Sequence, residues 1–224
     1  MMATAFSFFF PFLLLFLTGQ SVLRRFGKSP RGRLAISLIG ITSACLCLLP
    51  IGGVPLARWL ISLNANFSLP LTAVLFAKVW HQAGGKVLLD RSALASLWLF
   101  GTVMGLALYP MASGLSLFDS YFLGWRFSSL FVFVLALTVF LLIRRNRFGI
   151  VLLLCIFARN LQLLESPNFW DYLIDPIYVI ASLIIQGNAW VGALRAGRSP
   201  LCFFRQCHDL GSEEERKNLT SSPT

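Results

Sequence analysis

Asp171 and Asp175 stand four residues apart, a spacing that can set two carboxylates on one helix face as oxygen ligands for Mg²⁺. They belong to the stretch 164–176, which holds three of the nine acidic residues together with Phe169, Trp170 and Tyr172. The same stretch carries two local signals that compete with metal chemistry. Ser166-Pro167 and Asp175-Pro176 each read as a helix N-cap followed by proline at the first helical position. On that reading 167–174 is a short interfacial helix, Asp175 caps the next span, and the three aromatics form an interfacial belt. A cap role takes Asp175 off the face it would share with Asp171. The structural reading therefore outweighs ligand or partner binding, and binding outweighs metal-assisted chemistry.

Arg159 is the next residue whose type and place could matter, with Asn160 and Gln162 beside it in an otherwise apolar run. A guanidinium within a membrane span costs several kcal/mol, in the range of about 3 upward, unless it snorkels or finds a partner. Glu165, six positions on, is too far along a helix to be its neighbour. The expected partners are Asp171, Asp175 or Asp119 from another element. Arg126 and the aromatic loop residues Tyr121 and Trp125 lie near Asp119 in sequence, and Asn64 and Asn66 interrupt another apolar run just before Pro70.

Other chemistry finds little purchase. His81 and His208 are the two histidines, both assigned below to the cytoplasmic side, so no paired axial histidines for a haem within the spans are available. No His-Glu-x-x-His pattern for zinc occurs. Gly114-Leu115-Ser116-Leu117 has the look of a serine nucleophile turn but no histidine on its side to serve as base. Cys202, Cys207 and His208 lack a second ligand pair and read as part of a juxtamembrane tail. No cofactor, no metal and no structural disulfide is expected.

The elements that must position these residues are apolar spans. The chain of 224 residues is 57% hydrophobic and 12% charged, too little charge to cover a soluble domain. Long apolar runs without period-two alternation must satisfy their backbone internally, as helices. Seven spans are expected, near 6–22, 34–51, 54–79, 93–112, 127–143, 148–164 and 176–194. The third is expected to be broken, an interfacial piece followed by a short crossing.

With seven crossings, sixteen of the 19 basic residues fall on one side and leave only Arg58, Arg126 and Arg159 on the other. Positive residues mark cytoplasmic loops, so the N-terminus is expected outside and the C-terminus in the cytoplasm. The net charge of +10 thus reads as topology, with no nucleic-acid partner. The fold class expected is an all-α integral membrane protein, a bundle of about seven transmembrane helices over 1–195. A polar, disordered cytoplasmic tail over 196–224 follows.

Seven-span families offer no match. Span seven has no lysine for retinal, and Phe76-Ala77-Lys78 and Asp175-Pro176-Ile177-Tyr178 do not carry the G-protein-coupled receptor signatures. Arg25-Phe26-Gly27 echoes Arg147-Phe148-Gly149, as parallel repeats of small sugar carriers would, but Pro11 and Pro50 have no counterparts in the second half.

The expectation is a non-enzymatic, multi-pass protein of a bacterial-type inner (plasma) membrane. Its outer face would bind a partner protein or lipid-like ligand through Arg159, Glu165, Asp171, Asp175, Asp119, Arg126, Trp170 and Asn64. Its partners would be membrane lipid, with a membrane-protein partner or a second copy as further candidates. Two alternatives stand beside it. One is a transporter-like carrier of small solutes or lipids with three-plus-one-plus-three helices. The other is an enzyme applying the outer carboxylates to a lipid-linked substrate.

Overall fold

Proline, asparagine and capping residues cut the apolar chain into helices that account for 76% of the structure. The computed structural model describes residues 6–27, 32–64, 66–115 and 119–196. The expected tail, with Cys202, Cys207 and His208, lies outside the described residues, as does Ser116. Nine α-helices form among the described residues: α1 (Phe9–Arg25), α2 (Arg33–Leu48), α3 (Leu56–Leu63), α4 (Leu69–Gln82), α5 (Arg91–Pro110), α6 (Ser129–Ile143), α7 (Phe148–Asn160), α8 (Phe169–Leu173) and α9 (Pro176–Arg195). A two-residue hairpin, β1 (Pro50–Ile51) against β2 (Val54–Pro55), joins α2 to α3. A π turn (Met111–Leu115) ends α5, and a 3-10 turn (Ser120–Gly124) precedes α6.

The third expected span is indeed interrupted. α3 stops at Leu63, Asn64 is extended (φ −152°, ψ 110°), and the helix resumes only after Ser68, with Pro70 in its first turn. Of the later helices, α7 ends at Asn160, before the expected 164, while α6 ends at Ile143 as expected. α6 closes with Asn146 N–H donating to Leu141 C=O around Arg145 (φ +52°), and α7 closes with Leu163 N–H donating to Ala158 C=O around Gln162 (φ +50°). Both are left-handed C-terminal turns built without glycine.

Among the described residues two helical segments are long and apolar enough to cross a membrane, α5 with its π turn (Arg91–Gly114) and α9. The apolar helices α6 and α7 have 15 and 13 residues. At 1.5 Å per residue, α7 reaches about 20 Å against a hydrocarbon core of about 30 Å.

Contacts sort the loops into two ends. At one, Arg147 donates from Nη1 to Val87 C=O (2.6 Å), and Asn146 Nδ2 donates to Ser96 Oγ (2.8 Å). This is the basic end. At the other, Asp175 reaches Ser68, Trp170 reaches Ser120, and Arg58 pairs with Glu165. The core between them joins Leu97 of α5, Val134 of α6, Leu152 and Cys155 of α7, and Tyr178 of α9, each fully buried.

α5 and α9 run antiparallel and touch backbone to side chain. A Cβ on Gly101 would lie 2.4 Å from Ser182 Oγ and 2.7 Å from Tyr178 Cζ, and one on Gly105 would lie 2.4 Å from Val179 Cγ2. The missing side chains let Tyr178 lie across α5 and donate its hydroxyl proton to Leu97 C=O. Gly101→Ala should therefore cost about 1–3 kcal/mol by overpacking, seen as a lower melting temperature in detergent. Gly187→Ala on α9, where an added Cβ meets nothing within 4 Å, should be neutral or gain up to about 1 kcal/mol of helix propensity. Equal effects of the two substitutions would contradict the close approach.

Candidate functional site

Asp175 is the residue on which the acidic end is assembled. Its side chain is 2% exposed, and both carboxylate oxygens accept backbone N–H bonds. Oδ1 accepts from Tyr178 N–H (2.9 Å), the N-cap bond of α9, and Oδ2 accepts from Ser68 N–H (2.8 Å), at the residue that caps α4. One carboxylate thus serves the positive ends of two helices 107 residues apart in sequence. The expected cap role of Asp175 is present and extends to a second helix.

The other expected cap moves by two residues. Asn168, not Ser166, caps α8, its Oδ1 accepting from Trp170 N–H (3.0 Å). Ser166 Oγ instead accepts from Asn168 N–H (3.1 Å). Asn168 is fully buried, and its Nδ2 donates to Tyr121 C=O (3.1 Å), while Trp170 Nε1 donates to Ser120 C=O (2.9 Å). α8 and the 3-10 turn are thereby clasped together. The clasp needs Gly124, where a Cβ would fall 1.7 Å from Asn168 Oδ1.

The aromatic belt expected from Phe169, Trp170 and Tyr172 is not seen, because the 3-10 turn and α7 cover them. They are 0%, 3% and 0% exposed. Tyr172 uses its hydroxyl to accept from Leu164 N–H (3.2 Å), and Phe169 stacks on Phe131 of α6 at 4.4 Å between centroids.

Between this clasped loop, the end of α5 and the break before α4 lies a cavity of about 330 Å³. Its polar lining residues are Asp171, Asp175, Tyr109, Tyr121, Asn64 and Asn66, and its apolar ones include Leu108, Ala112 and Ile174. Asn64 Nδ2 and Asn66 Oδ1 are shut off from solvent and have no hydrogen-bond partner among the described residues. Buried polar atoms without partners cost about 1–3 kcal/mol each, a cost borne at the break between α3 and α4.

Asp171 is the second carboxylate of the cavity. It accepts from the Tyr121 hydroxyl, 3.1 Å from Oδ2, and bonds the Ser166 side chain. Burial raises its pKa above the ordinary aspartate value, and the two hydroxyls offset this only in part. Tyr121 is pushed up to about 12, by burial first and then by the Asp171 charge, so it remains a proton donor to Asp171.

The raised pKa sets the sign of a pH effect. An unfolded aspartate protonates near about 3.9, the folded Asp171 at higher pH, so between these values the folded chain binds more protons. The ionised form of Asp171 is destabilising above its folded pKa, and the penalty disappears as pH falls to the unfolded value. Asp171→Asn should therefore gain melting temperature relative to the native chain near neutral pH, with the difference shrinking on acidification. A pH-independent difference in paired melting curves would contradict this.

The remaining expected site residues are scattered around the same end. Asp119 caps the 3-10 turn by accepting from Tyr121 N–H (2.9 Å). Glu165 pairs with Arg58 at 3.5 Å, both partly exposed, a surface pair worth about 0–1 kcal/mol. Arg126 is exposed. Among the described residues Arg159 makes no ion pair with Asp119, Asp171 or Asp175. Its Nε is buried without a hydrogen-bond partner. The structure brings Asn64, Asp171 and Asp175 to one cavity and leaves Trp170 behind it as support. Tyr109, which faces the cavity, had no signal beyond standing before Pro110, and the role of Asn168 had none beyond a loop position after proline.

No family model, curated protein or solved structure matches this chain.

Proposed function

We propose that the chain is a non-enzymatic, multi-pass membrane protein that binds a lipid-like amphiphile in the cavity at the acidic end of α5 and α9. The observation that carries this reading is the cavity itself. It combines carboxylates, phenols and aliphatic side chains in one lining. A head group and an apolar body would each find matching groups there.

The outer surface of the bundle supports the membrane part. α6 buries Leu130, Val134 and Leu141, yet its exposed face is equally apolar, with Phe133 49%, Val139 48% and Phe140 57% exposed. Such a face suits hydrocarbon rather than water. α1, α2, the broken α3–α4 pair, α5, α6, α7 and α9 would supply seven crossings. The basic end would face the cytoplasm of a bacterial-type inner membrane and the cavity the outside.

A carrier is the second reading, favoured by the interruption at 64–68, since irregular backbone within a span is tolerated where it lines a cavity. A two-carboxylate metal enzyme is disfavoured because both oxygens of Asp175 are already engaged by backbone N–H groups.

Ala112→Trp places an indole in the cavity from its exposed rim. Native mass spectra of the purified protein should show a retained lipid in the native chain and its loss in Ala112→Trp, which should still unfold cooperatively. Equal lipid occupancy in the two proteins would remove the cavity as the binding site.

A further inference from the structure

The charges around the cavity do not balance. Asp175 meets two backbone N–H groups at two helix N-termini, so its charge is answered within the fold. Asp171 is met by hydroxyls alone, those of Tyr121 and Ser166. Among the described residues no lysine, arginine or histidine lines the cavity. Arg58 pairs with Glu165, and Arg159, whose Nε has no hydrogen-bond partner among the described residues, does not line it.

A further observation points the same way. The phenol rings of Tyr109 and Tyr121 border the same space, and ring faces attract ammonium groups at centroid distances up to about 6 Å. A phosphate or carboxylate would meet two carboxylates and no cation there.

We propose that the head group taken by this cavity is an ammonium, its charge set against Asp171 beside the rings of Tyr109 and Tyr121, with the apolar body along Leu108, Ala112 and Ile174. This rests on the reading of the cavity as an amphiphile site and specifies its chemistry. The ammonium could belong to a free amine or to an aminophospholipid whose phosphate stays outside the cavity.

The test uses the full chain in a neutral maltoside detergent with three probes sharing one tail: octylamine, octanol and octanoate. Octylamine should raise the melting temperature saturably near neutral pH, and the other two should need at least about tenfold higher concentration for the same shift. Asp171→Asn should abolish the preference. Tyr109→Leu, which leaves both carboxylates in place, should weaken octylamine severalfold and serves as second variant if Asp171→Asn does not fold. In nanodiscs, phosphatidylethanolamine should compete with octylamine where phosphatidylglycerol does not if the group comes from lipid, and equal midpoints assign it to a free amine.

Equal action of the three probes, or preference for octanoate, would overturn the ammonium assignment while leaving an amphiphile site. Absence of any saturable shift with all three would overturn the site reading as well.

Discussion

Asp175→Ala should be among the most destabilising single substitutions in the chain, costing about 3 kcal/mol or more in detergent. The estimate joins two effects. Loss of an N-cap typically costs about 1 kcal/mol, and each buried donor left without an acceptor costs about 1–3 kcal/mol. Here the donors are Tyr178 N–H and Ser68 N–H, in surroundings where Asp175 is 2% exposed. Asp175→Asn keeps one acceptor oxygen and should recover one of the two bonds, giving an intermediate loss.

A second substitution isolates the inter-helix part. Ser68 has φ −63°, compatible with proline, so Ser68→Pro removes the donor, and its Cδ, set where the N–H points at Oδ2, also crowds the Asp175 carboxylate. On that background Asp175→Ala should cost less than alone by about 1–3 kcal/mol. Strict additivity would mean that the carboxylate serves α9 only.

Gly124→Ala is the second large effect expected. An added Cβ would fall 1.7 Å from Asn168 Oδ1 and 2.8 Å from Trp170 Cδ1. Asn168 is 0% exposed and cannot swing away without breaking its bonds to Trp170 N–H and Tyr121 C=O. The clasp must open, at a cost of about 3 kcal/mol made up of overpacking and lost buried hydrogen bonds. Tyr121 and Asp171 would part with it. Gly124→Ala should therefore lose lipid retention together with stability, whereas Gly101→Ala should lower stability and leave retention intact in the fraction that remains folded. Retention by folded Gly124→Ala would show that the clasp does not shape the cavity.

What was legible in the sequence was what depends on neighbours in the chain. The cap by Asp175 reads directly, because its partner Tyr178 is three residues away. So does the interruption at Asn64, Asn66 and Pro70, where the helix stops and restarts. The gathering of Asp119, Glu165, Asp171 and Asp175 at one end followed from counting spans, and contacts across that end agree with it.

What escaped was long-range. The bonds that bury Trp170 and fix Asn168 join residues 50 and 47 positions apart, and nothing near Trp170 distinguishes a clasped indole from a belt aromatic. Arg159 was matched to aspartates by charge alone, and the helix that carries it closes early at Gln162, where no glycine gave warning. Hydropathy also made the sixth span longer than α7, since the apolar run continues past the turn that ends the helix.

The most direct measurement is the reactivity of a single cysteine on the cavity wall, Asn64→Cys, in a chain whose five native cysteines have been replaced. An impermeant maleimide applied to intact cells should modify it, and octylamine should slow the modification in proportion to occupancy. Lys86→Cys, exposed at the basic end, should react only after permeabilisation. Modification of Lys86→Cys but not Asn64→Cys in intact cells, or a rate at Asn64→Cys that no amphiphile changes, would contradict an outward-facing amphiphile site.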